Sequence, residues 1–338
     1  MKLLVCGGSD IFFRRVLPAL PGLGVAAVEV ASRSGRRAPA EAPVALTYAE
    51  DALAALKTSP ADAVYVSTEN SRHAALALAA LESGRHVVVD KPAFLDFPTA
   101  ERAAELAAKK GLVLAEATVW ADHPRVAAIR DAFAAAGSAP TRLSVVFSFP
   151  PLPAGNFRHD PSCGGGALPD LGPYAVSPAR VFFGAAPEAA TCRILARGEA
   201  VETAFCCLLA FPGGRSLAAT CGFDTGYANR LEVLGPGLAA AMDRAFTPPP
   251  GAALPLSLNS PAGARTETLP PADAFAAFFG RAFAAMDKGK ADADGLREDL
   301  LADARALAMV RKSASGGQEG MIPSWTSPMG GEAPGRTI

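Results

Sequence analysis

The chain has 338 residues, which allows one large domain or two of ordinary size. Apolar residues make up 50% and charged residues 19%, so a packed core is expected and a disordered body is excluded. The formal net charge is −1, which argues against nucleic acid as the main partner, because a phosphate-binding surface needs a basic excess.

The start of the chain, KLLVCGG, has neither the basic segment nor the cleavage site of a signal peptide. No apolar run reaches the roughly 18 residues of a membrane span. The six cysteines form no CxxC pair, so we interpret them as reduced thiols, and we expect a cytoplasmic protein. The four histidines do not share metal-ligand spacing, so no metal is predicted.

From residue 1 to about 120, short apolar strands alternate with helical patterns. Strands are predicted at residues 3–6, 26–32, 63–68, 86–90 and 112–117. Helices are predicted at residues 10–20, 48–56, 71–84 and 98–111. This alternation indicates right-handed βαβ units and a parallel sheet covered on both faces.

After residue 143, strand-like runs follow one another with turns between them. They lie at residues 142–149, 191–198, 203–211, 215–223 and 229–235. One helix is predicted early, at 170–183, and helical patterns return in AFAAFFGRAFAAM and EDLLADARALAMVRKSA. We therefore predict an α/β chain with a first domain at 1–120 and a second, α+β domain at 121–314 on an open, mostly antiparallel sheet. The final helix could pack back on the first domain, and 315–338 is predicted to be a flexible tail.

The first strand, its glycine turn and the following helix read LLVCGGSDIFFRR. In a dinucleotide fold such a turn points backbone N–H groups at the pyrophosphate. The G-x-G-x-x-G pattern is degraded, since Gly7 is followed by Ser9 and Phe12 at the second and third glycine positions. Asp10 and Ile11 open the helix. An ordinary strand–helix turn explains this motif equally well.

The end of the second strand reads Ala31-Ser32-Arg33-Ser34. An NAD enzyme normally places an acidic residue there to bind the ribose hydroxyls, whereas arginine suits the 2′-phosphate of NADP. We therefore favour NADP over NAD. A solvated basic loop is the alternative.

Polar residues also follow the third, fourth and fifth predicted strands, in STENSRH (67–73), DKPA (90–93) and EATVWADHPR (116–125). Open α/β sheets place their ligands at this edge. His73 could touch a nicotinamide or could cap or pack, and no role is assigned to Glu69 or His123.

Two longer motifs carry a resemblance to a known family. VVVDKPA is similar to an E-K-P motif, and GGGALPDLGPYAV is similar to GG-x-x-x-D-x-G-x-H/Y. Together they resemble the Gfo/Idh/MocA oxidoreductases, named after glucose–fructose oxidoreductase and inositol dehydrogenase. The resemblance implies an N-terminal Rossmann domain, a C-terminal antiparallel-sheet domain and, often, a subunit interface on that sheet. GGSDIFFRRVLPAL and MDRAFTPPP resemble the branch of sugar-nucleotide 3-ketoreductases, which use NADPH.

Carried over by motif, the catalytic lysine is Lys91, the tyrosine is Tyr174 and the helix aspartate is Asp170. Asp90 stands where the family has glutamate, one methylene longer. The chemistry agrees, because ketone reduction needs a cation for the developing alkoxide and an acid to protonate it. A nearby ammonium should also help the tyrosine proton leave.

Asp170 and Tyr174 are four residues apart and share a helix face, where Asp170 could also cap the helix. Pro173 fits only if that helix begins near residue 170, and Pro178 should kink it. Pro92 restricts the backbone of Lys91, and the Lys91–Pro92 bond is a candidate cis peptide. Tyr174 as a buried core tyrosine is the structural alternative.

The predicted cofactor-binding residues are Gly7, Ser9, Asp10, Ile11, Ser32, Arg33, Ser34, Thr68, Asn70, His73, Asp90 and Lys91. The predicted substrate-binding residues are Asn156, Arg158 and Tyr174, although a surface ion pair would equally explain Arg158.

Three functions remain open at this point. The first is an NADP-dependent oxidoreductase that reduces a keto group on a nucleotide-linked hexose. The second is a dihydrodiol or free-aldose dehydrogenase of the same family. The third is a non-catalytic NADP-binding scaffold or sensor. In each case we expect a homodimer or homotetramer formed through the C-terminal sheet, with no nucleic-acid or membrane partner.

Overall fold

The computed structural model of the protein describes residues 1–38, 41–288 and 290–316. Most of the predicted flexible tail, from residue 317 on, lies outside these residues. Among them, no helix combines the length and apolar character needed to cross a bilayer. All six cysteines are free thiols.

The first sheet has six parallel strands in the order β3-β2-β1-β4-β5-β6. Its strands are β1 (Lys2–Cys6), β2 (Ala27–Ala31), β3 (Ala45–Ala49), β4 (Ala63–Val66), β5 (His86–Val89) and β6 (Leu114–Glu116). The prediction of a parallel Rossmann sheet is confirmed. The prediction was wrong at β3, because Tyr48 and Ala49, assigned to a helix, end this strand.

Helices connect these strands and cover the sheet. They are a π-helical turn at Phe12–Val16 leading into α1 (Leu17–Ala19), then α2 (Ala52–Thr58), α3 (His73–Glu82) and α4 (Phe97–Lys110). Helix α5 (Pro124–Ala135) follows β6 and packs in the core of the second sheet. Helix α4 shows how local sequence sets the bounds. It begins after Asp96, whose carboxylate accepts from the Thr99 N–H at 2.8 Å, and it ends at Gly111, whose φ of 66° suits glycine.

The second sheet has eight strands in the order β14-β13-β12-β11-β7-β10-β9-β8. Its strands are β7 (Arg142–Ser148), β8 (Ala189–Arg197), β9 (Glu202–Phe211), β10 (Arg215–Gly222), β11 (Ala228–Gly235), β12 (Leu238–Asp243), β13 (Leu254–Ser260) and β14 (Gly263–Leu269). Neighbours are antiparallel except β7 and β10, which confirms the mostly antiparallel sheet. Strands β12 to β14 and helix α5 were not predicted.

Three further helices complete the fold: α6 (Ala167–Phe183), α7 (Ala274–Lys288) and α8 (Lys290–Ser315). Helix α6 packs against β9 and β10 of the second sheet. Helix α7 adds phenylalanines to the core of the first sheet, where the Phe279 ring lies 5.3 Å from that of Tyr65. Helix α8 contacts both β6 and β8, so it joins the two sheets.

The start of α6 differs from the prediction. The helix begins at Ala167 and runs continuously through Pro173 and Pro178, so Pro173 lies in its interior. Asp170 does not cap it. Instead, the Glu202 carboxylate from β9 accepts from the Leu168 N–H at 3.0 Å and occupies the space that a side chain at Gly166 would fill. Asp170 is thereby left free to interact with other side chains.

Candidate active site

A single cavity of about 770 Å³ lies where the carboxyl ends of β1, β2, β4 and β5 face helix α6. Every predicted site residue lines it. These residues are Gly7, Ser9, Asp10, Ile11, Ser32, Arg33, Ser34, Thr68, Asn70, His73, Asp90, Lys91, Asn156, Arg158, Asp170 and Tyr174. Residues from both predicted domains therefore share one cavity, as open α/β sheets lead one to expect.

The glycine turn after β1 is tightly packed. Gly7 has a φ of 109°, and a Cβ there would lie 2.2 Å from the Ser67 carbonyl oxygen. Only glycine fits at this position. The Ser9 hydroxyl lies 2.6 Å from that of Ser67 and accepts from the Phe12 N–H at 3.1 Å, while Phe12 itself is buried. Gly7 and Ser9 thus line the cavity, whereas Phe12 packs in the core of the first sheet.

The loop after β2 supplies hydroxyl and guanidinium groups. The Ser32 and Ser34 hydroxyls lie 3.0 Å apart, and Arg33 lines the cavity beside them. Arg36, which was not among the predicted residues, forms an ion pair with Asp10 across the glycine turn. These groups suit a phosphorylated ribose.

The turn after β5 is held by a network around Asp90. The Asp90 carboxylate accepts from the Tyr65 hydroxyl at 3.2 Å, from the Ser67 hydroxyl at 3.4 Å and from the Lys91 N–H at 3.1 Å. Although its side chain is one methylene shorter than that of the family's glutamate, Asp90 forms hydrogen bonds with residues at the ends of β4 and β5. The Lys91–Pro92 peptide bond is cis, as hypothesised.

The side chains of Lys91, Asp170 and Arg158 form one buried ion-pair cluster. The Lys91 Nζ lies 2.8 Å from Asp170 Oδ1 and 2.6 Å from the Asp170 carbonyl oxygen, and the Arg158 Nε lies 2.8 Å from Asp170 Oδ2. Burial acts to raise the pKa of Asp170, but the two cations outweigh it and lower the pKa to about 2. Burial acts to lower the pKa of Lys91, but Asp170 outweighs it and the pKa is raised. The cluster therefore keeps Lys91 protonated.

Tyr174 lies one helical turn after Asp170. The Lys91 Nζ is 4.9 Å from its ring centroid. Burial raises the pKa of Tyr174, and Lys91 lowers it by less, so the net direction is upward. We expected Lys91 to help the Tyr174 hydroxyl lose its proton near neutral pH. Lys91 does lower the pKa of Tyr174, but burial raises it by more, so the net shift is opposite to this expectation. A tyrosine that keeps its proton can donate it to an alkoxide, a stronger base.

His73 bridges two segments of the cavity wall. Its Nδ1 lies 2.9 Å from the Pro92 carbonyl oxygen, and its Nε2 lies 3.1 Å from the Thr68 carbonyl oxygen. The ring is 1% exposed. Both ring nitrogens face the backbone, as expected of a packing residue.

Other predicted side chains also have partners within the protein. Asn70 Nδ2 donates to the Gly164 carbonyl oxygen at 2.9 Å, and Asn156 Oδ1 accepts from the Arg158 N–H at 3.1 Å. His123 Nδ1 accepts from the Arg125 N–H at 3.2 Å and so caps helix α5. Glu69 lies 3.9 Å from Arg72, in a long ion pair.

Sequence reasoning missed a second group of cavity residues on the C-terminal side. Among them are Phe147, Phe149, Thr247 and Phe275. Phe147 and Phe149 are two residues apart on and just after β7, so the alternation of a strand could have placed them on one face. Thr247 lies in the segment MDRAFTPPP and Phe275 in the helical pattern AFAAFFGRAFAAM, but neither pattern assigned these residues to a site, and only the tertiary fold brings them to the cavity.

Glu116 at the end of β6 was also missed. Its Oε2 accepts from the Ala93 N–H at 2.7 Å and its Oε1 from the Thr118 hydroxyl at 3.0 Å. Burial, with a smaller contribution from Asp303, raises the pKa of Glu116 to about 7. Glu116 thus holds the turn that carries Lys91 through the backbone of Ala93.

A parallel dinucleotide sheet with an ammonium, a carboxylate and a phenol at its carboxyl edge defines an oxidoreductase that uses a nicotinamide dinucleotide. Comparison with known proteins agrees. Residues 1–118 match the model described as oxidoreductase family, NAD-binding Rossmann fold, and residues 138–237 match the GFO/IDH/MocA C-terminal domain. The chain belongs to the Gfo/Idh/MocA family, which confirms the resemblance predicted from its motifs.

Among individual relatives, the dTDP-3,4-didehydro-2,6-dideoxy-alpha-D-glucose 3-reductase of Streptomyces violaceoruber is 33% identical over 93% of this chain and 95% of its own. KijD10, a 3-ketoreductase from Actinomadura kijaniata solved in complex with NADP and TDP-benzene, superimposes with a TM-score of 0.81. It is 30% identical and covers 93% of this chain and 98% of its own. D-xylose 1-dehydrogenase (NADP(+)) 2 of Haloferax volcanii is 28% identical over 93% of this chain and 97% of its own.

Proposed function

We propose that this protein is an NADP-dependent reductase of a keto group on a nucleotide-linked hexose. The observation that carries the proposal is the cluster of Lys91, Asp170 and Tyr174 in a cavity that also contains Ser32 and Arg33. The similarity to 3-ketoreductases over nearly the whole chain supports the substrate class.

Gly7, Ser32 and Arg33 would hold NADPH in this cavity, and the cofactor would supply there the hydride for the carbonyl carbon. The Lys91 ammonium stabilises the negative charge that develops on the carbonyl oxygen. The Asp170 carbonyl oxygen and carboxylate each accept a hydrogen bond from that ammonium, and the carboxylate also forms an ion pair with Arg158. Asp170 thus holds the lysine in place and charged. The Tyr174 hydroxyl, whose pKa is raised by burial, is the general acid that protonates the alkoxide.

NADPH oxidation in the presence of a dTDP-linked keto-hexose tests this function. We expect Lys91→Met and Tyr174→Phe each to lower kcat by 10²-fold or more, in line with loss of charge stabilisation or of general acid catalysis. Binding of NADPH, followed by its fluorescence, should survive in Tyr174→Phe. Unchanged turnover in both variants would refute the assignment.

A dehydrogenase of free aldoses or dihydrodiols is a second candidate, supported by the similarity to the xylose dehydrogenase. Measuring kcat/KM for free xylose and glucose beside nucleotide sugars separates the two activities. A silent NADP-binding scaffold is less well supported, because Lys91 and Tyr174 are both present and face one cavity. Tight NADPH binding without turnover of any carbonyl compound would favour it.

We also propose a homodimer or homotetramer formed through the second sheet. The face of this sheet that is turned away from α6 exposes large apolar side chains, namely Val146, Leu195, Leu208 and Leu234. Apolar area of this kind is typical of protein interfaces. Light scattering of the wild type and of Leu208→Lys would test this, and a monomeric wild type would contradict it.

A further inference from the structure

We infer that Tyr227 and Arg244 form the binding site for the nucleoside diphosphate of the substrate, an inference that rests on the proposed function. Both lie at the end of the second sheet that borders the cavity. Arg244 belongs to the segment MDRAFTPPP, which the sequence analysis used only for its resemblance to a branch of the family, and Tyr227 belongs to no motif identified there. Their geometry separates them from ordinary surface residues in three respects: backbone conformation, support from the core and position relative to Tyr174.

Arg244 has an unusual backbone. Its φ is 48°, the only positive φ of a non-glycine residue in the described part of the chain. A residue with a Cβ avoids this left-handed conformation, so its presence requires support from the surrounding structure. Strained positions of this kind concentrate at ligand sites.

The support comes from Arg125 on helix α5, which is fully buried. Its Nη1 donates to the Asp243 carbonyl oxygen at 2.7 Å, and its Nη2 donates to the Arg244 carbonyl oxygen at 2.8 Å. Burial lowers the pKa of Arg125 to about 10, which shows that the charge is held at a cost. A buried guanidinium therefore fixes this one turn and points the exposed Arg244 outward.

The Arg244 side chain lies over an exposed aromatic ring. Its guanidinium carbon is 5.5 Å from the centroid of Tyr227, and Tyr227 is 52% exposed. Within residues 1–38, 41–288 and 290–316, no carboxylate lies within ion-pair distance of Arg244. Its charge is thus available for an anion from solution.

These two residues lie next to the cavity and are connected to it through Thr247. The Tyr227 hydroxyl lies 3.3 Å from the Thr247 hydroxyl, and Thr247 lines the cavity. Phe246, the residue before Thr247, places its ring 5.3 Å from that of Tyr174. A substrate whose ketone reaches Tyr174 would therefore extend along Thr247 towards Tyr227 and Arg244.

The chemistry of the pair matches a nucleoside diphosphate. An exposed tyrosine ring is a stacking surface for a base, and a guanidinium binds phosphate oxygens through two N–H groups. A free sugar has neither a base nor a phosphate. The pair would therefore select nucleotide-linked substrates over free ones.

Calorimetric titration of the NADP-bound enzyme with dTDP tests the site without requiring turnover. We expect Tyr227→Ala and Arg244→Ala each to weaken dTDP binding by tenfold or more, and Arg244→Lys to weaken it by less. Arg265→Ala is the matched control, since Arg265 is an exposed arginine of the same sheet whose ion pair is with Glu267. It should bind dTDP as the wild type does.

Steady-state kinetics give a second readout. In both alanine variants KM for the nucleotide sugar should rise more than kcat falls, and the ratio of kcat/KM for nucleotide-linked over free sugar should decrease. Wild-type affinity for dTDP in both variants, or no binding of dTDP to the wild type, would overturn the inference. Absence of ketone turnover with intact, Arg244-dependent dTDP binding would instead overturn the proposed reaction alone.

Discussion

Glu116 provides a test of the electrostatics behind the turn that carries Lys91. The substitution is Glu116→Gln, which keeps the shape of the side chain and an oxygen to accept from the Ala93 N–H. The rise of the pKa from 4.5 to about 7 corresponds to at most about 3 kcal/mol between the neutral and ionised forms. Partial exposure of the side chain makes this an upper bound.

The sign follows from proton binding. Between about pH 4.5 and 7 the folded protein holds a proton on Glu116 that the unfolded chain has released, so the free energy of unfolding falls as pH rises through this range. Above about pH 7 the contribution of this proton to the free energy of unfolding is fully lost. Glu116→Gln lacks this contribution, so its stability relative to wild type should improve by up to about 3 kcal/mol from pH 5 to pH 8.

Thermal unfolding at pH 5, 6, 7 and 8 measures this difference. Glu267→Gln is the control, because Glu267 is an exposed glutamate on strand β14. We expect the wild-type and Glu116→Gln curves to converge towards pH 5 and to separate by several degrees at pH 8. Parallel curves over this range would refute the reasoning, because they would place the titration of Glu116 elsewhere.

Other substitutions test the remaining parts of the site. Asp170→Asn leaves two buried cations without their partner and should cost about 3 kcal/mol of stability and lower kcat by 10²-fold or more, measured by thermal unfolding and NADPH oxidation. Arg33→Ala should raise KM for NADPH about tenfold and lower the ratio of kcat/KM with NADPH to kcat/KM with NADH. An unchanged ratio would contradict binding of the 2′-phosphate by Arg33. Arg244→Gly relieves the left-handed backbone and should raise the free energy of unfolding by about 1 kcal/mol while weakening dTDP binding, and a lower Tm would contradict it.

The regular part of the fold could be predicted from local pattern. Apolar runs such as VVVD, followed by helices that end in glycine, identified five of the six strands of the first sheet. Strand β3 was missed because ALTYA leads directly into an alanine-rich helix, and the two periods overlap at Tyr48. Strand β14 was missed because its side chains are nearly all exposed, which leaves no alternation of apolar and polar residues to read.

The site was predictable where motifs fix residues relative to the backbone. Lys91, Asp170 and Tyr174 follow from two short motifs, and the sheet topology brings these together. The supports could not be predicted. Glu116 contacts Ala93 over 23 residues, and Arg125 contacts Arg244 over 119, and no local pattern specifies such pairs.

His73 joins loops from two neighbouring strands through one ring. The Thr68 and Pro92 carbonyl oxygens lie 3.1 and 2.9 Å from the two nitrogens of this ring, so the loop after β4 and the turn that carries Lys91 are packed on one side chain. Phe147, Phe149 and Thr247 line the same cavity from the second sheet and are not hydrogen-bond partners of that ring. Substitutions at these three positions leave both contacts of His73 in place, so they are the first positions to vary when the specificity of the cavity is to be changed.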